Sequence, residues 1–436
     1  MKRKIYNEML DWKNNEKENR PLMILGVRQC GKTYIIQKFC QNEYKNFIEV
    51  NLFERQDIID LYKSNKTSEE KFRLLKIYID FDLEKENTVL FIDEIQECEE
   101  LISELKFFCE KHNNIKIICA GSLLGVKLNR MYTSFPVGKV KLLNLYPMDF
   151  EEFLTALGHD NLILEIKNHY NSNKPFLESL HNKALDLYKN YLIIGGMPAY
   201  VKNYIENNQD LIKTDKTILN DIIEEYFKDM RKHIDNKSLS LKVEETYKSI
   251  PSQLSNESNK FQYTKISPKA KSRDYESVLD WLNSANLINT SYLVKLPEIP
   301  LEGFVNRDIF KLFISDVGIL NNLLDIKPLD IINDNLSLYK GSITENYVAN
   351  ELLSNKFKLY YWQSNGIAEL DFLIYNDDGI IPIEVKSSDN TQSKSLNVYI
   401  EKYKPKYSIR ISQKNFGYNK DKNIKSVPLY AVFCIK

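Results

Sequence analysis

Five nearly continuous apolar runs in the first 145 residues constrain the fold of this 436-residue chain more than any other feature. Strands with little polar alternation are typical of a sheet covered on both faces. The long stretches between the runs leave room for crossover helices, so the pattern predicts a parallel sheet with helices on both sides. The runs are PLMILG (21–26), FIEVNLF (47–53), TVLFID (88–93), IKIICAG (115–121) and KVKLLNLY (139–146).

The segment GVRQCGKT (26–33) directly follows the first run and precedes an amphipathic helical pattern. It fits G-x-x-x-x-G-K-[ST], a loop whose glycines let backbone amides point at phosphate oxygens. In this pattern the Lys32 ammonium reaches the β and γ phosphates, and the Thr33 hydroxyl binds Mg²⁺. We therefore predict an ATP and Mg²⁺ site here. The predicted nucleotide-binding residues are Gly26, Val27, Arg28, Gln29, Cys30, Gly31, Lys32, Thr33 and Tyr34.

Polar residues follow the third and fourth apolar runs. Asp93 ends TVLFID, where a carboxylate lies near the Mg²⁺ of a phosphate loop, and we predict that it binds the metal. The adjacent Glu94 is the predicted base that deprotonates the attacking water. Ser122 follows the fourth run and is predicted to sense the γ-phosphate, although a plain Gly-Ser turn explains it equally well.

The chain from about 150 to 250 is helical and polar, with a break at YLIIGGMPAYV (191–201). There, Gly196 and Pro198 form either a contact with the nucleotide base or a turn between helices. Residues 260–296 read as a helix feeding a hairpin, which indicates a winged helix. A helix (342–354) and four strands are predicted beyond residue 301. These strands are KLYYWQS (358–364), AELDFLIY (368–375), IIPIEVKS (380–387) and PLYAVFCI (428–435).

Two of these strands form a hairpin with carboxylates and a lysine on one face. The residue numbers of two paired positions add up to 755 if Asp377-Asp378 is the tip of the turn, and to 757 if Asp378-Gly379 is the tip. In either register Asp371, Glu384 and Lys386 share a face of the sheet. Asp371 and Glu384 are predicted to bind a second Mg²⁺ or Mn²⁺, with Lys386 stabilising developing charge and Glu345 as a third acid. A solvated sheet face remains the alternative, and residues 342–345 also fit a helix capping box.

The net charge of the whole chain indicates no binding partner, because 60 Lys and Arg balance 60 Asp and Glu. Local charge is more informative. The net charge is +6 over residues 228–273 and +7 over residues 385–425, which predicts DNA contacts or a solvated lysine-rich surface. No apolar run is long enough to span a membrane. The six cysteines form no C-x-x-C pair, and we expect a cytoplasmic protein with reduced thiols.

Taken together, the motifs resemble those of the bacterial and archaeal AAA-type, STAND-like P-loop ATPases that carry a C-terminal domain of unknown function with a restriction-endonuclease-like fold. The resemblance covers nearly the whole chain, in the family's order. The matching segments are GVRQCGKT, LFIDEIQ, AGS, LYPMDFEEFL, GGMP, FKLFISDVG, GSITENYVANEL, YYWQS, AELDFLI and PIEVKS.

The resemblance implies an α/β P-loop NTPase core with helices on both faces of a parallel sheet, followed by three further parts. The implied domains are the ATPase core (1–150), a helical lid (151–230), a winged helix (231–300) and a PD-(D/E)xK nuclease-like domain (301–436). It also implies that Lys32, Thr33, Asp93 and Glu94 form the nucleotide site of the core, where we predict catalytic roles for Lys32, Glu94 and Ser122. The nuclease-like positions it implies are Glu345, Asp371, Glu384 and Lys386.

Relatives often have Gly-Arg after the sensor strand, whereas this chain has Gly138-Lys139. An arginine finger supplied by a second copy in a homo-oligomer is therefore not assigned, and Arg130 is only a candidate. We expect a slow, Mg²⁺-dependent ATPase that works as a nucleotide-controlled switch, coupled to a DNA-binding, nuclease-like region. The alternatives are an ATP-gated, metal-dependent DNA nuclease and a non-catalytic nucleic-acid-binding regulator.

Overall fold

The fold is that of a computed structural model, which describes residues 1–112, 114–131, 135–234, 236–256, 259–336, 339–364, 368–388 and 394–436, with the backbone alone at Arg130. It divides into two compact units. The first, called here the N-terminal unit, contains residues 2–146 and 284–286. The second, called the C-terminal unit, contains residues 147–283 and 287–436, together with Met1.

The N-terminal unit is built on a five-stranded sheet of order β2-β3-β4-β1-β5, and every neighbouring pair is parallel. The strands are β1 (Leu22–Leu25), β2 (Asn46–Asn51), β3 (Thr88–Asp93), β4 (Lys116–Ala120) and β5 (Lys141–Asn144). All six residues of β3 are buried, as expected for a strand covered on both faces. The predicted parallel sheet and P-loop fold are confirmed.

The helices of the N-terminal unit connect these strands. They are α1 (Ile5–Asn15), α2 (Lys32–Glu43), α3 (Gln56–Lys63), α4 (Ser68–Tyr78), α5 (Glu99–Lys111) and α6 (Leu124–Arg130), with a 3₁₀ turn at Ile95–Glu97. Helix α4 begins at a capping box, in which Thr67 and Glu70 satisfy each other's free backbone amides. On one side of the sheet, apolar residues of α3, α4 and α5 pack in a core with β3 and β4.

The C-terminal unit contains an eight-stranded mixed sheet of order β12-β13-β11-β10-β9-β8-β6-β7. The strands are β6 (Ile288–Val294), β7 (Val305–Ile314), β8 (Tyr360–Gln363), β9 (Glu369–Asn376), β10 (Gly379–Val385), β11 (Ser408–Ser412), β12 (Gly417–Asn419) and β13 (Ile424–Pro428). The hairpin of the predicted winged helix is β6 and β7. It joins this sheet because β6 pairs with β8, so it shares a sheet with the C-terminal strands.

Eleven α-helices lie in the described part of the C-terminal unit. They are α7 (Phe150–Ala156), α8 (Asp160–Ser172), α9 (Glu178–Ile194), α10 (Pro198–Glu206), α11 (Thr217–Lys232), α12 (Lys237–Leu254), α13 (Glu276–Ser284), α14 (Val317–Leu323), α15 (Pro328–Ile332), α16 (Tyr339–Ser354) and α17 (Lys394–Tyr403). The boundaries predicted for the lid, winged helix and nuclease-like domain remain predictions.

Two local predictions are wrong. The apolar segment 428–435 is not a strand, because Leu429–Cys434 form a buried 3₁₀ helix. Residues 342–345 are not a capping box, because α16 already begins at Tyr339 and Glu345 lies inside it. Across the described residues, no helix has the length and apolarity needed to cross a membrane.

Candidate functional site

The loop between β1 and α2 has the shape of a phosphate cradle. Gly26 has φ +153°, and a Cβ there would lie 2.3 Å from the carbonyl oxygen of Leu145. Gly31, with φ +92°, occupies the left-handed region directly before α2. Side chains are excluded at the first position by contact and disfavoured at the second by backbone strain. The two glycines therefore hold the loop amides together at the N-terminus of α2.

The Lys32 side chain lies over this loop and is 7% exposed. Its Nζ donates to the carbonyl oxygens of Gly26 at 2.8 Å and Val27 at 2.9 Å. Because a lysine ammonium seeks negative oxygens, these carbonyls are partners that a phosphate group would replace. Lys32 is thus positioned to bind the phosphates of a nucleotide.

Arg3 fixes the same loop from outside and was not predicted from the sequence. Its guanidinium is buried and donates to the carbonyl oxygen of Cys30 at 2.9 Å and to that of Tyr146. It therefore ties the loop to the chain that leaves β5. No motif marks this residue, because its two partners lie 27 and 143 positions away.

Thr33 and Asp93 meet beneath the loop. The Thr33 hydroxyl donates to Oδ2 of Asp93 at 2.8 Å. Burial of Asp93, followed by the nearby charge of Glu94, raises the pKa of the Asp93 carboxyl above its ordinary value. A buried carboxylate beside a hydroxyl suits a hard cation that takes oxygen ligands. These two residues therefore fit the predicted Mg²⁺.

Glu94 directly follows β3. Its backbone has an unusual conformation, and its side chain accepts three hydrogen bonds. Its φ is +54°, an uncommon value for a residue other than glycine. Its Oε2 accepts from Nε2 of Gln96 at 2.6 Å and from the backbone amide and hydroxyl of Ser122, each at 3.3 Å. Ser122 thus contacts the predicted base directly, and Gln96 is a further partner that the sequence did not reveal.

The GGMP turn lies in the C-terminal unit, between α9 and α10. The Gly196 amide donates to Oδ2 of Asp316 at 2.6 Å, and its carbonyl accepts from the Met148 amide at 2.7 Å. Asp316 also caps α14 through Ile319, and burial raises its pKa to about 6. Pro198 is the first residue of α10. These contacts give the turn a packing role, and its predicted contact with nucleotide remains a prediction.

Replacing Gly196 by alanine should destabilise the C-terminal unit strongly. A Cβ at this position would lie 2.0 Å from the carbonyl oxygen of Met148, which is backbone and cannot move aside alone. We expect a loss of at least about 3 kcal/mol of unfolding free energy, measured by denaturant titration. The control Gly341→Ala lies in α16 with no atom within 4 Å of the added Cβ, and it should be neutral or slightly stabilising. Equal stability of the two variants would contradict this account.

The hairpin of β9 and β10 adopts the first of the two predicted registers. Gly379 pairs with Asn376 and Ile383 with Phe372, so Asp371 and Glu384 are the next opposed pair. Oδ2 of Asp371 accepts from the Val385 amide at 2.7 Å. Nζ of Lys386 lies 3.0 Å from Oε1 of the buried Glu384.

Lys311 of β7 joins Glu345 to the same region and was not predicted. Its side chain is fully buried, and its Nζ lies 2.8 Å from Oε1 of Glu345 and 2.8 Å from Oε1 of Glu369. Burial lowers the pKa of Lys311, but the two carboxylates more than offset this and raise it overall. The pKa of Asp371 is also raised, chiefly by burial and then by Glu345, while Lys311 opposes the rise.

This cluster does not fit the predicted second Mg²⁺ or Mn²⁺. Among the described residues, no group of three or more His, Cys, Asp or Glu side chains is arranged to hold a metal ion. The Lys311 ammonium bridges Glu345 and Glu369. Of the two predicted metal ligands, Asp371 accepts from the Val385 amide, and Glu384 pairs with Lys386 through Oε1 while its Oε2 has no hydrogen-bond partner among the described residues. The predicted site residues Glu345, Asp371, Glu384 and Lys386 lie in one network of charges, but the partners of that network are protein groups.

Many cations of the two basic segments are engaged within the chain. Arg231 and Lys248 both pair with Glu244, and Lys406 pairs with Asp378. Lys425 lies 3.4 Å from the ring centre of Tyr170, and burial lowers its pKa to about 8. Residues 235, 257–258 and 389–393 of these segments fall outside the described residues, as does the side chain of Arg130. Contact with DNA remains a prediction.

Three family models match parts of the chain. Residues 18–154 match a family described as an AAA domain. Residues 185–330 and 340–432 match domains of unknown function, DUF8612 and DUF4143. With its phosphate loop and parallel sheet, the N-terminal region is therefore an AAA-type P-loop domain. The other two matches leave the endonuclease-like resemblance a prediction.

Among solved structures, a Walker-type ATPase of Pyrococcus abyssi has 15% identity and a TM-score of 0.45, covering 74% of this chain and 95% of its own. The ORC2 protein of Aeropyrum pernix has 11% identity and a TM-score of 0.37, covering 76% and 92%. A STAND protein of Pyrococcus horikoshii with a tetratricopeptide repeat sensor has 16% identity and a TM-score of 0.28, covering 81% and 45%. Likenesses this distant carry no conclusion about function. No curated protein matches the chain.

Proposed function

We propose that this chain binds ATP with Mg²⁺ and hydrolyses it slowly. The observation that carries the proposal is the arrangement of three side chains around the glycine-hinged loop. Lys32 lies on the loop carbonyls, and Thr33 is hydrogen-bonded to the buried Asp93 directly beneath. Together they supply an ammonium, a hydroxyl and a carboxylate at this loop, which are the groups that a nucleoside triphosphate site with Mg²⁺ uses.

Each group has a separate task in this proposal. The loop amides and Lys32 bind the phosphates, and Thr33 and Asp93 would hold Mg²⁺. When bound, Mg²⁺ neutralises part of the charge that develops on the phosphate oxygens. Glu94 orients the attacking water and accepts its proton. Ser122 and Gln96 keep the Glu94 carboxylate in place. Without an assigned arginine finger we expect slow turnover, because such a group contributes about 10³–10⁵ in rate.

Replacing Asp93 by asparagine tests the metal half of this site. Asparagine keeps the size and can still accept from the Thr33 hydroxyl, but it removes the negative charge. We expect Mg²⁺-dependent phosphate release from ATP to fall at least about tenfold, since hard cations prefer anionic oxygen ligands. Asp11→Asn, a change at an exposed aspartate of α1, is the control and should behave as wild type. Unchanged turnover in Asp93→Asn would contradict the proposal.

The wider role that we propose is a nucleotide-controlled switch that acts on a nucleic-acid-binding region. Its support is the local positive charge of residues 228–273 and 385–425. If DNA binds through these charges, the logarithm of the binding constant should fall linearly as the logarithm of the salt concentration rises. A DNA affinity that does not change with salt concentration would contradict this role. An ATP-gated, metal-dependent nuclease has less support, because its predicted residues are partnered by protein groups.

A further inference from the structure

Lys311 occupies the interior of the C-terminal unit, where a charged group is costly. Its side chain is fully buried, and it lies on β7, the edge strand of the eight-stranded sheet. A buried ammonium persists only with good partners, and removing either partner leaves an uncompensated charge. Here the partners come from two different elements, Glu345 from α16 and Glu369 from β9.

The second oxygens of Glu345 and Glu369 also have partners. The second oxygen of Glu345, Oε2, accepts from Nδ2 of Asn259 at 2.7 Å. The second oxygen of Glu369 lies 3.9 Å from Nζ of Lys260, which also donates to Gln363 at 2.5 Å. Asp371 accepts from the Val385 amide. Glu345, Glu369 and one oxygen of Asp371 therefore already have hydrogen-bond donors or cations around them, whereas Oε2 of the buried Glu384 has no hydrogen-bond partner among the described residues.

A divalent metal would compete for these same oxygens. Mg²⁺ requires near-octahedral oxygen ligands at about 2.0–2.1 Å, and it would have to bind beside a buried positive charge. Two positive charges only a few ångströms apart repel each other strongly in a poorly solvated interior. Lys311 already supplies one positive charge to Glu345 and Glu369, and it does so without losing translational freedom on binding.

We propose that Lys311 is the resident cation of this acidic cluster, so that the cluster excludes a catalytic divalent metal. The proposal does not depend on ATP hydrolysis. It also differs from the prediction of a second Mg²⁺ or Mn²⁺ site, which placed a metal on Asp371 and Glu384, with Glu345 as a third acid.

The test measures Mn²⁺ binding to the full-length chain by the loss of the electron paramagnetic resonance signal of free Mn²⁺. A Thr33→Ala, Asp93→Asn background removes the nucleotide-site ligands. We expect this protein to bind no Mn²⁺ up to millimolar concentrations, and adding Glu345→Gln should change nothing. One bound Mn²⁺ per chain that disappears with Glu345→Gln, or with Asp371→Asn in the same background, would overturn the proposal, whatever the nucleotide site does.

A second variant is expected to gain metal binding, which complements the expected absence of binding in the first. Lys311→Met in the same background keeps the length of the side chain and removes its charge. We expect it to gain about one Mn²⁺ per chain, with a thermal unfolding midpoint that rises with Mn²⁺, because the uncompensated carboxylates then need a cation. Adding Glu345→Gln should abolish the gain. If circular dichroism shows that Lys311→Met is folded and the variant still binds no Mn²⁺, then Lys311 is not the group that excludes the metal. If it does not fold, the first arm still decides.

Discussion

Glu94→Gln is expected to bind ATP with wild-type affinity and to hydrolyse it about 10²–10⁴ times more slowly. Glutamine keeps the shape of the side chain and can still accept hydrogen bonds from Ser122 and Gln96, but it cannot take a proton from water. The loss should therefore appear in kcat and not in nucleotide affinity. Single-turnover phosphate release measures the rate, and equilibrium binding of labelled ATP measures the affinity.

Glu97→Gln is the matched control for this change. It makes the same substitution three residues further on, in the 3₁₀ turn that follows Glu94. It should retain wild-type hydrolysis, because no described contact links its side chain to the phosphate loop. If both variants hydrolyse ATP at the wild-type rate, Glu94 is not the base. If both lose activity equally, the effect belongs to the fold of this turn.

Lys32→Met should weaken ATP binding at least about 100-fold. The variant keeps the aliphatic stem that is buried against the loop and removes the ammonium. A charge-assisted hydrogen bond in a buried site contributes about 1.5–3 kcal/mol, and Lys32 makes two bonds to the loop that phosphates would replace. Calorimetric titration with ATP and Mg²⁺ measures the change.

Lys45→Met is the control, because Lys45 is exposed and lies beyond the end of α2 in the same unit. It should bind ATP as wild type does. The unfolding midpoint of Lys32→Met, measured without nucleotide, separates lost binding from lost folding. A folded Lys32→Met protein with wild-type affinity would show that the loop does not hold the nucleotide.

The sequence was informative wherever a local rule is strict. β3 was predictable because TVLFID is a short apolar run that recurs with others like it at crossover spacing, and the structure buries all six of its residues. The phosphate loop was predictable because Gly26 and Gly31 occupy positions where another residue meets Leu145 or strains the backbone. For the β9–β10 hairpin, the sequence left two registers open that differ by two residues, and the structure adopts the one in which Gly379 pairs with Asn376.

Prediction failed where the deciding contact is distant in sequence. Lys311 meets acids 34 and 58 residues away, and nothing near it marks a buried ammonium. Its partner Glu345 matched a capping box, although the helix begins earlier. The segment 428–435 is apolar throughout, and an unbroken apolar run does not distinguish a buried strand from a buried helix.

The most direct test of the central claim is an experimental structure of the chain with Mg²⁺ and a non-hydrolysable ATP analogue. We predict that the triphosphate lies against the amides of residues 26–33, and that Nζ of Lys32 leaves the carbonyls of Gly26 and Val27 for the β and γ phosphates. Thr33 and Asp93 should then face one metal ion. A nucleotide bound elsewhere, with Lys32 still on those two carbonyls at saturating analogue, would contradict the account.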